Sequence, residues 1–281
     1  MGPRLSDLIQ NNQHGTYQLP MYKDEHQNTV NHRHHHLTTS HESSNNNKET
    51  LNLSMTELTK IPSSLLTKRN SSSIRILKLN SNYLRTLSHD ISKLKNLREL
   101  HLQYNHQEYI HPSIWCLHNL EVLDLSFNSI QTIPKEISSL GKLNKLYLAY
   151  NSLFRLPETF SMLREMKELD LSCNKFTELP PTLLTLKNLQ KLNLENNNIC
   201  HIPKSVNQLT GLYELNLLRN PINTIHQKAI DYLLELRVFQ FGTLIEANNI
   251  LTNPTGGKRL TLPSIPSVSY THLTLPTIYS V

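Results

Sequence analysis

The sequence predicts an α/β solenoid, a curved horseshoe with a parallel β-sheet on its concave side and irregular or short-helical segments on its convex side. Three observations predict it. Leucine supplies 51 of the 281 residues and glycine only 7, a bias that marks one structural unit written many times over. The pattern Leu-x-x-Leu-x-Leu-x-x-Asn starts at Ile74, Leu97, Leu120, Leu143, Met166, Leu189 and Leu212, each 23 residues after the last. Inside each unit the inner apolar pair alternates with other residues, the period of a strand with one buried face.

Taken in order, residues 1–50 hold only eight of Ile, Leu, Val, Met or Phe against seven His and seven Asn. So few apolar groups do not offset the entropy of ordering, and the segment is expected to be disordered. His32-Arg33-His34-His35-His36 fits a low-complexity polar tract better than a metal site, and no metal ligand set is assigned. Met1-Gly2 with Ser6 has the spacing of an N-myristoylation site, but Pro3 argues against it. The domain proper is expected over 51–242. Leu51-Asn-Leu53 with Leu58 and Ile61-Pro62 makes a degenerate first repeat, 26 residues before the next, with Thr56 where asparagine is expected.

The seven inner pairs are Leu77/Leu79, Leu100/Leu102, Leu123/Leu125, Leu146/Leu148, Leu169/Leu171, Leu192/Leu194 and Leu215/Leu217. Three residues after each pair stands Asn82, Asn105, Asn128, Asn151, Asn174, Asn197 or Asn220. A side-chain amide both donates and accepts, so these residues are expected to form a structural ladder that satisfies the buried turns. Pro134, Pro157, Pro180 and Pro203 mark where each unit leaves the strand side, because proline removes a backbone donor. Parallel strands stack about 4.8 Å apart while the outer segments need more room, so the stack curves.

Two departures stand out. The repeat at 97–119 has Gln107 where an aliphatic is expected and then His111-Pro112, which predicts a distorted turn. After Asn220-Pro221-Ile222 the period stops, and the apolar stretch over 227–241 is expected to close the core with a helix. Residues 243–267 read as a flexible tail. The stretch Val268-Ser269-Tyr270-Thr271-His272-Leu273-Thr274-Leu275-Pro276-Thr277 resembles a translated sequencing adapter. Residues 268–281 are therefore set aside as a non-native scar, and a further domain beyond about residue 267 is an open expectation.

On these motifs, 51–242 resembles the leucine-rich repeats, in the 23-residue variety in which Leu-Pro or Ile-Pro follows the inner motif. Intracellular scaffolds of the Ras-suppressor and Shoc type are similar. The resemblance implies a non-catalytic protein-interaction scaffold in small-GTPase or kinase signalling, with a small GTPase, kinase or phosphatase as partner. The alternative is the recognition arm of a larger enzyme, a kinase or ubiquitin ligase. Cysteine-rich caps, usual in extracellular members, are not visible, and Cys116, Cys173 and Cys200 are too scattered for a disulfide framework. A cytoplasmic monomer is the expectation.

The formal charge is +6, but basic and acidic residues are interspersed without a basic stripe, so nucleic acid is not an expected partner. No apolar run of about 18 residues predicts a membrane span. No nucleophile elbow, phosphate loop or zinc motif occurs, so neither an enzyme nor a cofactor is expected.

Function is then expected at the strand positions that the core leaves free. The position before each inner pair reads Glu99, Val122, Lys145, Glu168, Lys191, Glu214, alternating charges that can pair with one another. The position before each asparagine reads Ser81, Tyr104, Phe127, Tyr150, Cys173, Asn196, Arg219. Tyr104, Phe127 and Tyr150 therefore fall on consecutive rungs, with Tyr147 beside them and Asp124 and Asp170 flanking. Clustered aromatics on a rigid surface are the composition of a protein-binding hot spot, so these six residues are the candidate binding site.

Overall fold

The computed structural model describes residues 49–62, 66 and 72–241. The readings of 1–48, 243–267 and 268–281 lie outside the described residues. Each repeat begins with a three- or four-residue strand: β1 Thr50–Asn52, β2 Ile76–Lys78, β3 Glu99–His101, β4 Val122–Asp124, β5 Lys145–Tyr147, β6 Glu168–Asp170, β7 Lys191–Asn193 and β9 Glu214–Leu217. With β11, Val238–Phe241, they form one nine-stranded sheet in which every pairing is parallel. Leu77 pairs with Leu100, Leu100 with Leu123 and Leu123 with Leu146, so the register follows the sequence period. β8, His201–Ile202, and β10, Thr224–Ile225, make a separate two-stranded ribbon.

The inner leucines are the core. Leu77, Leu79, Leu100, Leu102, Leu123, Leu125 and Leu148 are fully buried in one continuous apolar cluster. The opposite side is built from single 3-10 turns, among them Lys135–Ser139, Glu158–Met162, Pro181–Thr185 and Lys204–Gln208. Pro134, Pro157, Pro180 and Pro203 cap these four turns, each lending its carbonyl to the first bond of the turn while lacking a donor of its own. Ile137, Phe160, Leu183 and Val206 then point back into the core. Short turns outside and close-spaced strands inside give the curved solenoid its concave sheet.

The asparagines join rungs rather than touching one another. Asn128 Nδ2 donates to Leu125 O at 3.0 Å and, one rung back, to Leu102 O at 3.1 Å, while its Oδ1 accepts from the Gln107 N–H at 3.0 Å. Asn151 repeats the arrangement on Leu148, Leu125 and Ile130, and Asn174 on Leu171, Leu148 and Leu153. Asn82, Asn105, Asn197 and Asn220 do the same. At the first rung the Thr56 hydroxyl donates to Leu53 O at 2.8 Å, replacing the missing amide with one bond.

Three local expectations meet the structure differently. Glu49 and Thr50 already belong to the first rung, whose Leu51 pairs with Leu77 across the 26-residue gap. Gln107 leaves the turn undistorted: its N–H and carbonyl make the bonds that Ile130 makes one rung later. Its side-chain amide is fully buried instead, with both polar atoms unpartnered. The C-terminal stretch is a helix followed by another rung. Helix α1, Gln227–Glu235, buries Ala229, Ile230 and Leu233, and β11 then pairs Phe239 with Leu215. Phenylalanine at the leucine position hid that rung from a leucine-based pattern.

Candidate functional site

Every residue before a ladder asparagine has a left-handed backbone, with φ of 55° at Ser81, 58° at Tyr104, 56° at Phe127, 54° at Tyr150, 53° at Cys173, 54° at Asn196 and 55° at Arg219. A side chain there costs about 1–2 kcal/mol relative to the right-handed form. The conformation holds because these residues keep the inter-rung bonds going: Tyr104 N–H donates to Ser126 O at 3.0 Å, Phe127 N–H to Ala149 O at 2.8 Å and Tyr150 N–H to Ser172 O at 3.0 Å. The same turn repeated on consecutive rungs projects their side chains in parallel. Tyr104 and Phe127 stack with centroids 4.1 Å apart at 14°, and Phe127 and Tyr150 at 4.2 Å and 12°.

Beside this shelf of three rings lies a hollow of about 400 Å³ whose lining includes Asp124, Tyr147, Asp170 and the stacked rings. The remaining lining is Gln103 and, at the same position of the next three rungs, the small residues Ser126, Ala149 and Ser172. That column makes the space, since Gln103 precedes it and Glu195 follows it. In the sequence it is only three small residues between the second leucine and the aromatic position, and small side chains carry no chemistry that would mark a hollow. All six candidate residues thus come together around one basin.

A larger hollow of about 560 Å³ at the N-terminal end of the sheet is lined by Thr50, Ile76, Lys78, Asn80, Glu99, His101 and Gln103. Glu99 and His101 approach each other there at 3.3 Å, and it lacks a stacked aromatic wall, so the smaller basin is the stronger candidate.

The charges around the basin are uneven. Lys145 pairs with Glu168 at 3.2 Å and Lys191 with Glu214 at 3.4 Å, the alternating ladder expected before the leucines. Tyr147 donates its hydroxyl to Glu168 at 2.9 Å, and burial together with that carboxylate pushes the phenol well above its ordinary range. Burial acts to raise Glu168, but the Tyr147 hydroxyl and the lysines outweigh it and hold the carboxyl below its usual value. Asp124 is pushed up, chiefly by burial and further by Asp170. Burial also raises Tyr104. Among the described residues no cluster of His, Cys, Asp or Glu could hold a metal ion, and no helix is long and apolar enough to cross a membrane. Cys116, Cys173 and Cys200 are free.

A family model described as leucine-rich repeat matches residues 114–153 and 164–222. Comparison with curated proteins finds no match. Solved structures are similar in number, 486 chains in all, so likeness of fold by itself cannot select a partner. A leucine-rich repeat protein of Leptospira interrogans is 27% identical, with a TM-score of 0.54 over 69% of this chain and 60% of that one. This chain therefore spans less than two thirds of that protein's length. Internalin C2 of Listeria monocytogenes is 24% identical, with a TM-score of 0.58 over 69% of this chain and 79% of that one, a likeness of fold alone. Leucine-rich repeats generally serve as protein-interaction scaffolds and are typically non-enzymatic. Register, asparagine ladder and family match agree: residues 114–153 and 164–222 are leucine-rich repeats, and the rungs on either side of them continue the same leucine-rich-repeat fold.

Proposed function

We propose that this protein is a non-catalytic scaffold that binds a partner protein on its concave face, at the basin beside Tyr104, Phe127 and Tyr150. One observation carries the reading: Tyr104 remains 52% exposed and Tyr150 38% exposed on strained backbone positions, where the core asks for no ring. Exposed aromatic area on a rigid support binds with little loss of side-chain entropy. A cytoplasmic role in small-GTPase or kinase signalling is part of the proposal, supported by the resemblance to intracellular 23-residue repeats.

The test is position-specific photo-crosslinking. A photoreactive phenylalanine at position 104 is expected to yield a discrete partner adduct, while the same group at Glu136, exposed on the convex side, yields none. Adducts only from position 136 would move the interface to the other face and end the proposal.

A further inference from the structure

The position between the two leucines accepts a turn N–H wherever it carries Asn or Asp, while Lys78, His101 and Tyr147 stand there on the other rungs. Asn193 Oδ1 accepts from the Glu195 N–H at 3.1 Å, and Asn216 Oδ1 from the Leu218 N–H at 3.0 Å. Asp124 and Asp170 do the same with Ser126 and Ser172, at 3.0 and 2.9 Å. Asparagine therefore suffices for the turn, and the negative charge at the two aspartates is surplus to the fold.

The charge also has no ion-pair partner in contact: His101, in register with Asp124 on the neighbouring strand, favours its charged form through space, but burial outweighs it. Of the strand carboxylates, Glu99 has His101, Glu168 has Lys145 and Glu214 has Lys191. No Lys, Arg or His nitrogen among the described residues lies within ion-pair distance of Asp124 or Asp170. A half-buried carboxylate without a counter-charge lowers stability, as the upward displacement of Asp124 reports. These two unpaired charges flank Tyr147, in the hollow whose wall is the ring shelf.

We infer that the partner presents an extended segment with two basic side chains about 10 Å apart, one for Asp124 and one for Asp170, two rungs away at about 4.8 Å per rung. Its intervening residues lie over Tyr147 and against the rings. This inference deepens the concave-face reading and rests on it. Arginine suits the site best, because a guanidinium forks onto a carboxylate while its plane packs on a ring. In polyproline II geometry, at about 3.1 Å per residue, basic residues three apart span about 9 Å.

The test selects a random nine-residue peptide library displayed on phage against the full chain, then measures the affinity of the synthesised winners. Winners are expected to carry two basic residues three apart and to bind at least tenfold more weakly to Asp124→Asn and to Asp170→Asn. Both variants keep the turn bond, as Asn193 and Asn216 do. Winners without basic residues, equal binding to the Asn variants, or no winner at all overturns the inference. If Tyr104→Ala still abolishes binding in the first two of those cases, the concave-face reading survives; if it too is indifferent, both fall. Carboxylate-dependent binding of a peptide of residues 26–41 in place of library winners would assign the basin to this chain's own histidine-rich segment and overturn the partner.

Discussion

The rungs from Tyr104 to Arg219 share one backbone and divide into two halves by side chain. Positions 104, 127 and 150 carry stacked rings, whereas 173, 196 and 219 carry Cys, Asn and Arg at the same left-handed φ. In the second half the polar side chains satisfy themselves: Asn196 donates to Cys173 Sγ at 3.3 Å, Arg219 pairs with Glu195 at 3.5 Å, and Asn216 donates to the same carboxylate at 3.1 Å. Beside the rings two carboxylates are left over, Asp124 on the Phe127 rung and Asp170 on the adjoining Cys173 rung. The backbone is the same at all six positions, so the difference between the halves lies in their side chains, which the proposed reading assigns to recognition.

That comparison breaks most directly at the core. Leu148→Ala and Leu194→Ala, each removing a fully buried side chain, are expected to cost about 2–5 kcal/mol apiece in denaturant unfolding. A large gap between the two would show that the halves do not share one scaffold. Phe127→Ala removes two ring pairs and is expected to cost about 1–3 kcal/mol. The matching Asn196→Ala, which loses one exposed bond to sulfur, should cost under about 1 kcal/mol. Equal losses would mean that the ring stack contributes nothing beyond its backbone.

Gln107→Leu sharpens the comparison by repairing the first half where it is weakest. Leucine places apolar atoms where two amide atoms go unsatisfied, and a gain of about 1–3 kcal/mol is expected, read as a rise in Tm. A smaller gain, about 1 kcal/mol less the entropy of the unfolded glycine, is expected for Ser81→Gly, since glycine adopts positive φ without strain.

The last measurement follows pH. Asp124 is raised in the folded state, so the folded chain holds its proton to higher pH than the unfolded chain does. Stability is then lost as pH climbs from the ordinary carboxylate range through the raised value. Asp124→Asn should therefore gain stability over wild type at neutral pH, and the gain should vanish at pH values below the ordinary carboxylate range. A gain independent of pH would show that charge is not its cause.

The scaffold was legible because its period is enforced by contact. A leucine that must meet a leucine one rung away, and an amide that must reach two carbonyls, leave a repeat with little freedom. The same logic failed where a different residue met the same need and left no other mark: Phe239 serves as a rung leucine, whereas Thr56 was read at the asparagine position and does stand there. The six site residues were legible because rings and carboxylates announce chemistry. Ser126, Ala149 and Ser172 were not, since they act by leaving space. The left-handed φ shared by the ring positions was equally hidden: the inter-rung bonds impose it on Tyr, Phe, Cys and Arg alike.

The reach of the ladder amides, from their own leucine carbonyl to the one a repeat earlier, 23 residues back from Asn105 onward, has a consequence for how such a molecule changes length. Excising or duplicating a whole unit returns every joint to an identical neighbour, whereas any other insertion on the strand side severs a joint. Evolution can thus alter the span of the concave sheet in whole steps of one strand, and place a pair of charges farther apart or nearer together without redesigning the frame that holds them.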